Sequence, residues 1–202
     1  MSLLQKLGFI KSVSKSAHIF EEIVPDFRNV QYKFPSEYIS KIWAGYENGY
    51  SGNQNLNGNV FELILATLLT REGIIPLYLQ AKVAFVPNVK FDLLGYTNEK
   101  GPICFSAKTS LRERYKQADL EAIALKYVHR KAECYLITLN HGEADMVKNK
   151  IKNGDVIGID KVIKADTKEF DNFLEVLPKK EFTEAGNINI IGSEIVVKNI
   201  AN

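Results

Sequence analysis

Cysteine is scarce in this chain, which has only Cys104 and Cys134 among its 202 residues. A disulfide-stabilised scaffold is excluded because such folds need several cysteine pairs. Both residues lie inside short apolar runs, Ile103–Phe105 and Cys134–Leu136. We therefore expect two buried free thiols in a reducing cytoplasm.

Long apolar runs are missing as well. No stretch approaches the roughly 18 apolar residues that a membrane-spanning helix needs. The N-terminal segment has Lys6, Lys11 and Lys15 scattered through it and lacks the apolar core of a signal peptide. We expect a soluble cytoplasmic protein with no membrane partner.

Excess charge and histidine pairs are also lacking. The net charge of +2 is too small for a protein that coats nucleic acid through general basicity, so any DNA contact must come from a local cluster. His18, His129 and His141 do not have metal-ligand spacing. The Asn-rich stretch 51–59 lacks the lysine of a phosphate-binding P-loop, and we expect no nucleotide cofactor.

The first part of the chain is helical and aromatic in pattern. A helix is predicted after Ser36, which can cap it, because apolar residues recur there at helical spacing up to Tyr46. Residues 49–59 are rich in turn formers and predict a boundary or flexible loop. A buried helix is predicted for 60–69. We divide the chain into an N-terminal helical region, 1–57, and a main domain, 58–202, whose core is 58–160.

The main domain alternates between extended and helical patterns. The predicted strands are 77–85, 89–96, 103–107, 134–139 and 156–159; the predicted helices are 110–130, 143–151 and 168–177; and 188–197 is predicted to be a terminal hairpin or edge pair. Short turns separate the first three strands, which favours an antiparallel meander. The fold class is α/β, with a central mixed sheet, the meander followed by a further strand pair, flanked by helices.

One acid and one lysine stand out in this sheet. Asp92 is the only acid of an apolar strand, and the next strand ends in Ser106-Ala107-Lys108. Hairpin pairing across 97–101 would place Asp92 beside that end, and strand alternation would put Ser106 and Lys108 on one face. A carboxylate that holds a divalent ion and a lysine that steadies the attacking water suit metal-assisted phosphodiester hydrolysis.

A magnesium site usually takes one or two carboxylates, and two further acids of the chain are candidates for the second ligand. Glu121 lies on the predicted helix 110–130, seven residues after Arg114. Glu62 is the only acid of the buried helix 60–69, where an unpaired charge is costly. A surface location is the alternative for either residue.

The segment from Asp92 through Ser106-Ala107-Lys108 to the sequence Thr109–Gln117 resembles the PD-(D/E)XK core of type II restriction endonucleases. It is most similar to the subgroup that recognises CCGG or CCNGG-like sites. In that subgroup a glutamate on the following helix replaces the acid normally found two residues before the lysine. The resemblance therefore implies that Ser106 marks the missing acid, that Glu121 replaces it, and that Asp92 and Glu121 bind Mg²⁺. Phe91 departs from the proline of the motif.

The same subgroup carries a basic–acid–arginine motif that recognises neighbouring C·G pairs, and Arg112-Glu113-Arg114 matches it. The matching segment extends through Lys116 and Gln117, which are further candidates for DNA recognition. Independently, arginine can pair bidentately with guanine, and a carboxylate can accept from cytosine N4. A capping box between Ser110 and Glu113 is the structural alternative.

The resemblance, which covers about residues 58–140, implies a Mg²⁺-dependent type II site-specific endonuclease that cuts double-stranded DNA at a short palindromic site containing C·G pairs. A palindrome suits a homodimer, and the aromatic region 1–57, with Trp43, is the candidate dimerisation arm. Two alternatives stay open. One is a structure-selective repair or junction nuclease, and the other is a DNA-binding module of the same fold that has lost catalysis.

Overall fold

The computed structural model describes residues 1–186 and 190–201. Its α-helices are α1 (Leu3–Lys6), α2 (Lys15–Ile23), α3 (Pro35–Gly49), α4 (Gln54–Arg71), α5 (Arg114–Val128), α6 (His141–Asn153) and α7 (Lys168–Val176). Its strands are β1 (Leu77–Val83), β2 (Phe91–Thr97), β3 (Gly101–Lys108), β4 (Glu133–Thr138), β5 (Lys161–Lys164), β6 (Ile191–Gly192) and β7 (Ile195–Val197). Short 3₁₀ helices occupy Phe27–Asn29 and Leu177–Lys180.

The strands form one mixed seven-stranded sheet in the order β5-β4-β3-β2-β1-β6, and β7 also pairs with β1. β1, β2 and β3 are antiparallel neighbours, which confirms the predicted meander. β3, β4 and β5 are parallel. Parallel neighbours need crossover connections, and α5 and α6 provide them.

Apolar side chains fill both faces of the sheet. Leu93 and Phe105 belong to a core that packs against α1–α4 and α7, whereas Leu94 and Cys104 belong to a second core beneath α5 and α6. This separation follows from the alternation of side chains along each strand. The predicted α/β class, with a central mixed sheet flanked by helices, is confirmed. Cys104 and Cys134 are buried free thiols, as predicted.

The helix predicted after Ser36 exists, but Ser36 does not cap it. α3 begins at Pro35, directly after the N-cap residue Phe34. The amide and hydroxyl of Ser36 instead donate to the carboxylate of Asp171 on α7, at 2.7 and 2.9 Å. The prediction was wrong because Asp171, the acid that accepts hydrogen bonds from Ser36, lies 135 residues away in the sequence.

The loop in the turn-rich segment 49–59 is shorter than predicted, because a helix begins inside this segment. Asn53 caps α4 by accepting a 2.9 Å hydrogen bond from the amide of Leu56, so the helix begins at Gln54. The division at 57/58 therefore falls inside α4. Buried side chains from both sides of it belong to the same apolar core.

The aromatic residues of the N-terminal region pack within the chain. Trp43 contacts Tyr46 and Phe61, with ring centroids 5.2 and 5.9 Å apart, and Tyr38 is fully buried. A homodimer that uses this region stays a prediction. Across residues 1–186 and 190–201, no helix combines the length and the apolarity needed to cross a bilayer.

Residues 156–159 do not form the predicted strand; the strand in this region is β5, at Lys161–Lys164. The amides of Ile157, Gly158 and Ile159 donate to one carboxylate oxygen of Asp119 on α5, at 3.1, 2.6 and 3.3 Å. Because this side chain satisfies them, the segment has no need of a strand partner.

The C-terminal segment forms an edge pair in its described part. β6 and β7 both pair with β1 and extend its outer edge. The predicted range 188–197 includes residues 188 and 189, which lie outside the described residues.

Candidate active site

A notch forms where β2 and β3 separate. The β2–β3 ladder ends at Leu93 and Phe105, whereas β3 stays paired with β4 as far as Lys108 and Thr138. Asp92 lies one residue beyond the last β2–β3 pair, and its carboxylate faces the diverging end of β3. The separation of the strands leaves room for a polar cluster at the end of an otherwise apolar sheet.

Three donors from β3 converge on one oxygen of Asp92. Its Oδ2 accepts hydrogen bonds from Lys108 Nζ at 2.6 Å, from the Ala107 amide at 3.0 Å and from Ser106 Oγ at 3.3 Å. The predicted approach of Asp92 to this end of β3 is confirmed. The side chains of Asp92 and Lys108 are only 17% and 13% exposed, so this ion pair is well shielded from water. Water screens such a pair much less than one at the surface.

Glu62 of α4 is connected to this cluster by a hydrogen bond from Gln80 and by the charges of Asp92 and Lys108. Burial and the nearby charge of Asp92 raise the pKa of Glu62 to about 7, although Gln80, Lys108 and Lys90 favour its charged form. The side chain of Glu62 is half-buried, so it is not a fully solvated surface acid.

Gln80 is a site residue that the sequence did not indicate. Its Nε2 donates a 2.7 Å hydrogen bond to Glu62 Oε1. Gln80 lies on β1 with a φ of +50°, and the β1–β2 ladder passes from Leu79–Leu93 to Ala81–Phe91 without a pair at Gln80 and Asp92. Positive φ is uncommon for residues other than glycine. A glutamine inside a strand pattern gives no sequence signal of this conformation.

Glu121 lies on α5, on the face of the sheet that also holds Cys104. Burial raises its pKa, the hydrogen bond from Gln117 and the charge of Lys108 lower it, and the charge of Asp92 raises it. The charges of Asp92 and Lys108 thus both act on Glu121, and a metal ion shared by Asp92 and Glu121 stays a prediction. Gln117 Nε2 donates to Glu121 Oε1 at 2.7 Å, so this predicted DNA-recognition residue also contacts Glu121.

The cluster contains the kind of oxygen ligands that a hard cation binds. The three carboxylates of Glu62, Asp92 and Glu121 approach from α4, β2 and α5, and Asp92 raises the pKa of the other two. Within residues 1–186 and 190–201, no three His, Cys, Asp or Glu side chains already stand in a metal-ligating group. Mg²⁺ can be held by one or two carboxylates besides water and phosphate, so this finding does not by itself conflict with the predicted magnesium site.

The candidate recognition residues occupy the approach to α5. The helix begins at Arg114, with Glu113 at its N-cap position and no side-chain cap. Ser110 donates to Glu143 at 3.2 Å, so the alternative of a capping box with Glu113 is excluded. Arg112 is 76% exposed, and Glu113 forms an exposed salt bridge with Lys116.

Glu143 of α6 is a second residue that the sequence did not indicate. Its carboxylate accepts a 2.5 Å hydrogen bond from the Leu111 amide and lies 4.0 Å from Arg112 Nε. The backbone turn that carries Arg112 is therefore fixed to the start of α6. No pattern within 109–117 reveals this support, because the acid comes from a different helix.

Neither protein-family models, nor curated protein sequences, nor solved structures gave a match to this chain. Arguments about function therefore depend on the residues and their geometry.

Proposed function

We propose that this protein is a Mg²⁺-dependent endonuclease of the PD-(D/E)XK restriction-enzyme type, which hydrolyses phosphodiester bonds in double-stranded DNA. The observation that carries the proposal is the shielded contact between Asp92 and Lys108 at the end of two paired strands. An acid and a lysine are held together at this place, with two more carboxylates close by. This arrangement suits a site for phosphoryl chemistry better than it suits a purely structural ion pair.

The element order supports the proposal. α4, the antiparallel strands β1–β3, the crossover helix α5 and the parallel strand β4 follow one another, and the site residues lie on the first five of these. The resemblance in sequence covers the same part of the chain. Ser106 keeps a hydrogen bond to Asp92 where the usual motif has an acid, and Glu121 approaches from α5.

Asp92 and Glu121 would hold the metal, with Glu62 as a further carboxylate. When bound, Mg²⁺ would polarise the scissile phosphate and lower the pKa of a water molecule. Lys108 Nζ would offset the negative charge of the phosphate and orient the attacking water.

The segment that leads into α5 would contact the bases. Arg112 and Glu113 are exposed, whereas Leu111 anchors the segment in the second core. Arginine can bind guanine O6 and N7, and a carboxylate can accept from cytosine N4, so this segment would recognise C·G pairs. Recognition of a palindromic site would use a homodimer on two-fold symmetric DNA.

The test is digestion of a DNA of known sequence with the purified chain and Mg²⁺, followed by mapping of the ends. We expect discrete fragments with common end sequences that contain C·G pairs, and no cutting with EDTA. Asp92→Asn and Lys108→Ala serve as catalytic controls. Exposed Lys41→Ala, on α3, is a matched control that should cut normally.

The alternatives give different results. A structure-selective nuclease would cut branched DNA and leave linear duplex intact. A DNA-binding module without catalysis would shift the duplex in a gel without cutting it under any divalent cation. Either outcome would overturn the proposed activity.

A further inference from the structure

A groove lies beside the candidate site, at the outer edge of β1. It has a volume of about 610 Å³ and is lined by β1, by the residue before β2 and by the turn between β6 and β7. Gln80, which bonds to Glu62, forms part of its wall. The groove therefore begins where the catalytic cluster ends.

The unusual backbone at Gln80 accounts for the groove. β7 pairs with β1 as far as Leu79, and β6 pairs again only from Lys82, so the outer edge of β1 is unpaired between them. Ser193 spans this interval, because its hydroxyl donates to the carbonyl oxygens of Leu79 and Ile195 at 2.5 and 2.9 Å. Several backbone contacts thus fix the shape of the groove.

Two lysines of this groove have no acidic partner among residues 1–186 and 190–201. Lys82 and Lys90 are both exposed, and neither forms a salt bridge within the described part of the chain. The one acid in the lining, Glu194, is already paired with Lys11. The charge of Lys90 favours the charged forms of both Glu62 and Glu194.

We infer that this groove binds a backbone phosphate of the DNA next to the phosphate that is cut, with Lys82 and Lys90 as its ligands. The inference depends on the proposed function for the identity of the partner. Lys11, Lys82 and Lys90 against Glu194 leave a local excess of positive charge, which suits a phosphodiester. The contact would fix the register of the duplex without recognising its sequence, as backbone contacts do.

The test is the salt dependence of binding to sheared duplex DNA of mixed sequence, measured with EDTA present so that no cutting occurs. For Lys82→Ala/Lys90→Ala we expect weaker binding and a slope of log affinity against log salt that is shallower by about 1, as for the loss of one phosphate contact. Lys82→Arg/Lys90→Arg should restore the wild-type slope.

The matched control is Lys41→Ala/Lys179→Ala, which removes the same net charge from two exposed lysines elsewhere in the fold. Its slope should equal that of the wild type. If the groove variant and this control have equal slopes, the groove does not bind a phosphate. That result would leave the proposed function intact. Absence of any DNA binding by the wild-type chain would overturn both.

Discussion

Gln80 donates a 2.7 Å hydrogen bond to Glu62 from a backbone with a φ of +50°, in the middle of strand β1. The left-handed conformation costs an L-residue about 1 kcal/mol or more. The same residue interrupts the ladder opposite Asp92 and opens the outer edge of β1. One strained residue thus orients a carboxylate and shapes the neighbouring groove.

Two substitutions separate these roles of Gln80. Gln80→Ala and Gln80→Gly both remove the amide that holds Glu62, so we expect cutting to fall about 10-fold in each. Only glycine adopts the backbone conformation without strain. Gln80→Gly should therefore be more stable than Gln80→Ala by about 1 kcal/mol in urea unfolding. Equal stabilities would show that the positive φ does not persist in solution.

Glu62 makes stability depend on pH. Its pKa is about 7 in the folded chain against an ordinary value of 4.5, so between these values the folded state holds a proton that the unfolded state has lost. The free energy of unfolding should then decrease as pH rises from about 4.5 to about 7. Glu62→Gln removes this loss and should be more stable than wild type above pH 7 by about 1–3 kcal/mol.

The measurement is urea unfolding at several pH values in the presence of EDTA. Below pH 4.5 the titration of Glu62 should cause little difference between the unfolding free energies of wild type and Glu62→Gln. A difference that stays constant from pH 4 to pH 8 would contradict the raised pKa of Glu62. Cutting by Glu62→Gln should fall although the protein is more stable, which separates the catalytic effect from folding.

Lys108 should matter for cutting more than for binding. We expect Lys108→Ala to reduce the cleavage rate at least about 100-fold, because the variant lacks the cation that orients water and offsets phosphate charge. Affinity for DNA with Ca²⁺ in place of Mg²⁺ should change by less than about 10-fold, since the exposed lysines and arginines remain. Retention of wild-type cleavage would remove Lys108 from the site.

Asp119 fixes α5 to the loop 157–159, which lies far from it in the sequence. One carboxylate oxygen accepts from the amides of Ile157, Gly158 and Ile159. Asp119→Ala leaves three amides without this acceptor and should destabilise the fold by about 3 kcal/mol or more. Asp119→Asn keeps an acceptor oxygen and should lose less. Thermal unfolding of the two variants compares them directly.

Gly158 offers an independent check of the same contact. A Cβ at this position would lie 2.4 Å from the carbonyl oxygen of Asp119 and 2.7 Å from the amide of Ile123. Gly158→Ala should therefore be strongly destabilising, whereas Gly186→Ala, with open space around its Cβ position, should not be. Comparable unfolding temperatures for the two variants would contradict the close packing of this loop on α5.

Local patterns in the sequence predicted the central part of the fold. The meander β1–β3 follows from short extended runs separated by turn formers, and the placement of Asp92 beside Lys108 follows from that pairing. α6 ends at Asn153, where Gly154 adopts a φ of +80°, as the Asn-Gly pair indicated. These features depend on neighbours in the sequence, which a single chain reveals.

The features that the sequence did not reveal depend on distant partners. Val156–Ile159 has the apolar composition of a strand, but its amides bind a carboxylate 38 to 40 residues earlier in the chain. Ser36 donates hydrogen bonds to Asp171, and the turn before α5 donates one to Glu143. Gln80 acquires its role only when α4 and β1 are packed together. Composition and periodicity carry no information about such contacts.

Under the proposed function, α5 carries base-contacting and catalytic groups on a single helix. Arg114 begins the helix and Glu121 lies seven residues further, about 10 Å along the axis. Gln117 lies between them and holds Glu121 directly. Under the proposed function, a mismatched base that tilts the start of this helix would also displace the metal-binding carboxylate. The enzyme would then distinguish cognate from near-cognate sites by the rate of cutting. Near-cognate sites would be bound but left uncut.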